Sequence, residues 1–429
     1  MEAVPYWKRA AELAIRRSAN PEAINHINKA VDLLSACPDK SQSATIELDL
    51  QILLGPALMA LKGYTAPEVE KSYARARELC EELGETNKLD MAMRGLWGFS
   101  IVRGELQTAY ERGEQCLALA QRTKKPALFL WAHYTSGLTA LHIGDFLSAH
   151  EHFEKGISLY DAQKRHSRHA LQDPGVACLA YMTVAKWLLG YPDQALRIGR
   201  EAVALAEELS HPFSLTFSLN ITALVCQLCG EVEEARNRAE TGHKICSDLG
   251  GVPFWEAWGP ILTGWTLAEK GQQNDGLSLM VQGIADFAAT GAKLVQPYFY
   301  LLLAEAYRYA GQPIEGLSAL DTGLSVVDRT KERWCEAELH RLKGELLLMA
   351  SLENDKTAEA CFRKSLEISR QQSAKSWELM AVTSLSCLWQ KQGKTKEARQ
   401  ELETVYDWFT EGFSTGDLKR AREQLGRLV

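Results

Sequence analysis

The chain has 429 residues, a formal charge of -7, 46% hydrophobic residues and 24% charged residues. That is the balance of a protein able to bury a large core without disulfides or metal, and the small negative charge gives no footing for nucleic acid or an anionic membrane as main partner. Its ten cysteines are scattered and sit almost entirely inside apolar helical runs, which fits a reducing, cytoplasmic compartment better than a disulfide framework.

In chain order, a short turn signal recurs. It stands at Gly104 to Ala109, Gly144 to Ala149, Gly190 to Ala195, Gly230 to Ala235, Gly271 to Gly276, Gly311 to Gly316 and Gly393 to Ala398. Successive glycines are 40, 46, 40, 41, 40 and 82 residues apart, and the last gap holds a degenerate copy at Glu353 to Ala358. Two weaker copies come first, near Ser18 to Ala23 and Tyr64 to Val69. Each unit reads as a helix pair. Glycine ends the first helix in the left-handed conformation, and Asp, Glu or Pro opens the second. Small residues recur at two offsets past each anchor: Ala109, Ala149, Ala195 and Ala235 at five residues, Gly156, Ala202 and Gly242 at twelve. Seven residues are two helical turns, so both offsets share one face, where neighbouring helices approach closely.

This arrangement resembles the tetratricopeptide repeat, without the proline that usually ends its second helix and with a period near 40. The expected fold is an all-α, right-handed superhelical solenoid of about ten such pairs. It forms one repeat domain over 1–429, anchored near 18, 64, 104, 144, 190, 230, 271, 311, 353 and 393. First helices would line a concave groove. The widest spacing, Gly144 to Gly190, carries the insertion DAQKRHSRHALQDPG.

Local chemistry is sparse. Gly393-Lys394-Thr395 lacks the earlier glycine and the strand of a phosphate loop and is read as a repeat turn. Cys226-Gln-Leu-Cys229 has no partner pair and is read as core. His133, His142, His150, His152, His166 and His169 cluster, but Lys164, Arg165 and Arg168 oppose a cation there. No nucleophile, base and oxyanion donor appear together, so the chain is expected to be non-catalytic, with no cofactor and no metal. The aromatic first-helix residues remain as groove candidates: Trp97, Tyr134, Tyr181, Trp258 and Tyr298. The corner from Arg165 through His169 to Asp173 is a second place for a ligand.

Four stretches carry a more specific resemblance: residues 53–85 (LLGPALMALKGYTAPEVEKSYARARELCEELGE), 172–196 (QDPGVACLAYMTVAKWLLGYPDQAL), 337–348 and 360–421. They resemble the C-terminal repeat region of bacterial signalling proteins in which a class III adenylate/guanylate cyclase or similar effector and a STAND-type ATPase precede the repeats. The resemblance implies a regulatory or sensor module that holds a protein, peptide or small ligand in its groove and is attached to ATPase and cyclase domains. None of their catalytic residues maps onto this sequence. The chain is therefore expected to be a piece of a larger protein, possessing the binding function rather than the cyclase activity of its parent. A standalone scaffold and the sensor arm of a transcriptional activator are the alternatives.

Overall fold

The computed structural model describes residues 3–35, 39–160 and 172–428. Among them the regular structure is entirely helical. The pairs run α1 (Val4–Arg16) and α2 (Asn20–Ser35), α3 (Lys40–Lys62) and α4 (Pro67–Leu83), α5 (Thr86–Val102) and α6 (Leu106–Thr123), α7 (Pro126–Ile143) and α8 (Phe146–Leu159). Next come α9 (Pro174–Leu188) and α10 (Pro192–Glu208), then α11 (Pro212–Leu228) and α12 (Val232–Asp248). The short α13 (Pro253–Glu256) leads into α14 (Trp258–Glu269), which pairs with α15 (Gln273–Ala289). After these follow α16 (Gln296–Tyr309) with α17 (Pro313–Thr330), α18 (Glu336–Ala350) with α19 (Asp355–Gln371), α20 (Lys375–Lys391) with α21 (Thr395–Tyr406), and α22 (Gly416–Arg427). The architecture is an all-α superhelical repeat of tetratricopeptide type.

Local chemistry explains the punctuation. The seven anchor glycines from Gly104 to Gly393 all have φ between 70° and 92°, the region closed to most side chains. Pro126, Pro174 and Pro212 open first helices, where a missing N–H leaves nothing unsatisfied. Close approach is sharpest between α14 and α15. A Cβ on Gly276 would stand 2.5 Å from the Gly264 carbonyl oxygen. The helix α3 is long and apolar enough to cross a membrane by length and composition. Here its Leu50, Leu53, Leu54 and Leu58 are buried against α2 and α4.

The superhelix winds tightly enough for successive turns to touch. The Lys293 and Leu294 N–H groups donate to the Val102 carbonyl at 2.8 and 3.1 Å, and the Arg333 N–H donates to the His142 carbonyl at 2.7 Å. Thr65 Oγ1 donates to the Thr290 carbonyl and Ser376 Oγ to the Trp187 carbonyl. The Gly412 N–H donates to Asp193 at 2.9 Å. Gly190 needs its freedom twice over: φ is 91°, and a Cβ there would lie 2.5 Å from the Trp408 ring of the following turn.

A buried carboxylate centres this seam. Glu332 has no exposed surface, and its two oxygens each accept the Val295 N–H at 3.0 Å. Trp334 Nε1 donates to Oε1 at 3.0 Å, and His142 Nδ1 of the preceding turn meets that oxygen at 3.0 Å. Beyond it, Trp377 Nε1 donates to the Trp334 carbonyl at 3.1 Å, and its ring meets Trp187 edge-on at 4.5 Å. These contacts cross the concave side lined by the first helices and join one turn to the next.

Candidate functional site

An opening with mostly apolar walls lies inside the first superhelical turn, with a cavity volume of about 130 Å³. Its construction starts with Tyr73 on α4. That ring is wedged between Gly55 on α3 and Gly95 on α5, where added Cβ atoms would sit 2.3 and 2.4 Å from it. One helical turn from Gly95, Gly98 faces the cavity, and a Cβ there would meet only the Met59 methyl at 3.9 Å.

The walls are aromatic. Trp97 and Trp131 meet Tyr134 edge-on at 5.6 and 5.9 Å, and Tyr181 packs on Phe217 at 5.5 Å. Trp97 is fixed by donating Nε1–H to Thr139 Oγ1 at 3.1 Å. The Arg94 guanidinium lies 4.0 Å from the Trp131 ring centre and is held by Asp90 at 3.0 Å. Across the seam, Phe254, Trp255 and Leu294 complete the enclosure, with Phe254 against Tyr64 at 5.6 Å. An occupant of this space therefore touches both sides of the seam.

The polar groups are few and of one kind. Burial pushes the Tyr64 hydroxyl up to about 12, and it raises those of Tyr73, Tyr134 and Tyr181 as well. All four stay protonated and can donate. Trp255 Nε1 donates to the Tyr64 oxygen at 3.5 Å, and Gln172 Nε2 donates to the Tyr134 oxygen at 2.6 Å.

Of the residues singled out in the sequence, Trp97, Tyr134 and Tyr181 come together on this wall. Trp258 and Tyr298 lie elsewhere, as packing residues. Trp258 is 1% exposed among Phe254, Trp255 and Phe299, and Tyr298 is fully buried against Trp334 with its hydroxyl donating to Gln227 at 2.8 Å. Asp173 caps α9 by accepting the Gly175 and Val176 N–H groups at 2.9 and 3.1 Å, so it is a joint whose neighbour Gln172 reaches the cavity. Arg165 and His169, with His166, lie outside the described residues. Tyr64, Tyr73, Arg94, Gly98 and Trp131 were not foreseen. A signal for this place does lie in the sequence, in Gly55, Gly95 and Gly98 inside apolar helices, where glycine costs about 1 kcal/mol relative to alanine and needs a reason.

A second, charged cavity of about 210 Å³ opens near α22 and is lined by Glu305, Arg308, Glu338, Arg341 and Asp417. Its groups largely satisfy one another. Arg341 is 2% exposed and grips Glu338 through two hydrogen bonds of 2.6 and 2.7 Å. Burial works against that guanidinium's charge, but Glu338 and Glu345 outweigh it and hold its pKa above the ordinary value. Among the described residues no group of three or more His, Cys, Asp or Glu could hold a metal ion. Cys226 and Cys229 are both buried, and burial pushes the Cys226 thiol up to about 11. Gly393 is a helix-ending turn with φ 78°.

Among the described residues of the histidine cluster, His133 and His152 form a close pair, with Nδ1 atoms 3.0 Å apart. Burial, then His152 and Lys155, lowers His133 to about 4, and burial lowers His152 as well. Unfolded, both rings take protons near the ordinary 6.5; folded, they resist until lower pH. Their contribution is complete above pH 6.5 and lost as pH falls toward 4. Melting temperature should therefore drop between pH 6.5 and 4. The double variant His133→Gln/His152→Gln should show a shallower drop in the same scan; an unchanged slope would remove the pair as its cause.

The fold and its enclosed aromatic space define the class: an all-helical, tetratricopeptide-like superhelical repeat protein. No family model matches the chain. An uncharacterized protein of Rhizobium meliloti (strain 1021) is 21% identical over 382 residues, covering 87% of this chain, and the chain spans only 36% of that relative's length. Among solved structures, a Rap protein complexed with Competence and Sporulation Factor has a TM-score of 0.59 at 13% identity, covering 87% of this chain and 99% of that one. A Signal Transduction ATPase with Numerous Domains protein with a tetratricopeptide repeat sensor, from Pyrococcus horikoshii, has a TM-score of 0.44 at 12% identity, covering 89% and 55%.

Proposed function

We propose that this chain is a ligand-binding regulatory module, a single repeat solenoid over 1–429 whose bound ligand controls the winding of the superhelix. One observation carries the reading: the aromatic cavity is walled from both sides of the seam, so a ligand in it adds contacts that exist only while the turns are closed. A ligand that binds the closed form alone shifts the balance toward it. The ends of the solenoid then move relative to each other, and an attached domain feels that movement. A STAND-type ATPase with a cyclase or similar effector is the parent this reading favours, on the resemblance of residues 53–85, 172–196, 337–348 and 360–421. The greater length of the Rhizobium meliloti relative agrees with further domains in the parent. The occupant would be a small molecule or one apolar side chain of a peptide, since a dry space of roughly 150 Å³ accepts benzene. The Rap structure, solved with its factor bound, is a precedent for a ligand on this fold.

The test is a titration of the chain with toluene, followed by tryptophan fluorescence, thermal melting and small-angle scattering. Binding should quench the wall tryptophans, narrow the radius of gyration and stabilise the fold by about 2.7 kcal/mol at a hundredfold excess over Kd. No quench and no shift with toluene, nor with oxygen-bearing compounds of its size, would sink the reading.

A further inference from the structure

The cavity is uneven in what it offers. Among the described residues, no Asp or Glu lines it. The Tyr64 and Tyr134 oxygens already accept hydrogen bonds from Trp255 and Gln172, and their own O–H protons have no acceptor among the described residues. Tyr73 and Tyr181, 5% and 8% exposed, line the same space, and neither hydroxyl has a hydrogen-bond partner among the described residues. All four tyrosines line this one space. Thr135 spends its hydroxyl proton on the Ala132 carbonyl at 2.9 Å. Arg94 adds a guanidinium at the rim.

A hydroxyl that faces a cavity loses its contact with water when a ligand enters, and a ligand that supplies an acceptor replaces that hydrogen bond where a plain hydrocarbon does not. A cationic ligand would instead lose its hydration with no carboxylate in the lining to pair with and with Arg94 beside it. We infer that the cavity selects a small, apolar-bodied compound of about one ring's size bearing an acceptor oxygen, a carboxylate or a carbonyl, and no positive charge. This rests on the regulatory reading above and narrows it: the shape accepts any small apolar body, while the hydroxyls choose among them. Carboxylate and carbonyl share the chemistry; they differ in whether Arg94 contributes its charge.

Four probes of similar size separate the possibilities when titrated into the full chain by tryptophan fluorescence and calorimetry: toluene, acetophenone, benzoate and benzylammonium. Acetophenone or benzoate should bind at least tenfold tighter than toluene, since one hydrogen bond to a buried donor corresponds to about that factor. Benzylammonium should not bind. Benzoate exceeding acetophenone would assign the natural ligand to the acids, the reverse order to the neutral carbonyls. Tyr134→Phe and Tyr181→Phe keep the rings and should each reduce the advantage over toluene by about tenfold, with toluene affinity unchanged. Toluene binding as well as the oxygenated probes, with both phenylalanine variants silent, overturns the selection while leaving the cavity as a site. Failure of all four overturns the regulatory reading itself.

Discussion

Replacing Glu332 with alanine should destabilise the protein by roughly 3–5 kcal/mol and open the superhelix. The side chain is fully buried and is the shared acceptor for the Val295 N–H, Trp334 Nε1 and the imidazole of His142, groups drawn from two successive turns. Removing it leaves those groups in a dry site without an acceptor, and each unsatisfied donor carries its own desolvation penalty. The loss is also topological, because His142 belongs to the α7 turn and Val295 to the start of α16. Denaturant midpoints should fall and the radius of gyration should rise in scattering. Glu332→Gln keeps one carbonyl acceptor at similar volume and should lie between. An alanine variant as stable and as narrow as the parent would show that the seam is held by its other contacts.

Gly98→Leu should have the opposite sign on stability and abolish binding. The position is helical, buried and faces the cavity with only the Met59 methyl near it, so a leucine side chain enters existing space. Replacing a helical glycine gains about 0.8–1 kcal/mol in propensity, and filling the space adds to it, for a total near 1–2 kcal/mol. The same side chain occupies the volume a ligand would use, and toluene affinity should fall at least a hundredfold, about 2.7 kcal/mol. A stable variant that binds unchanged would place the probe elsewhere. A variant destabilised by more than about 1 kcal/mol would show that the walls cannot accept the added volume.

The helices and their joints were legible because they are local events. A left-handed glycine, an opening proline and a small residue two turns along each act within one helix pair, and a period near 40 repeats them. Contacts between turns are not legible in this way, because they depend on superhelical pitch, a sum of small rotations that no single unit displays. Glu332 and Lys293 look like ordinary charged loop residues, and nothing near them in sequence announces His142 or Val102. The same limit separates the aromatic candidates. Trp97, Tyr134, Tyr181, Trp258 and Tyr298 were chosen as aromatic residues of the first helices. Only the shape of the neighbouring turn decides that the first three border a space and the last two are packed. The Arg94 contribution was missed because arginine on a helix reads as solvated until Asp90 and Trp131 are seen around it.

The seam also changes how this array should come apart. A repeat protein whose units touch only their neighbours behaves as a one-dimensional chain, free to fray from either end or to unzip unit by unit. Hydrogen bonds between residues 189 to 225 positions apart turn that line into a cylinder. Each interior pair then loses partners above and below when it melts, so unfolding becomes cooperative over several pairs. The same bonds raise the mean sequence separation of native contacts, which slows folding relative to an open array of equal length. Hydrogen exchange should find the amides of Val295 and Arg333, in segments that look like loops, protected as strongly as those in the middle of a helix.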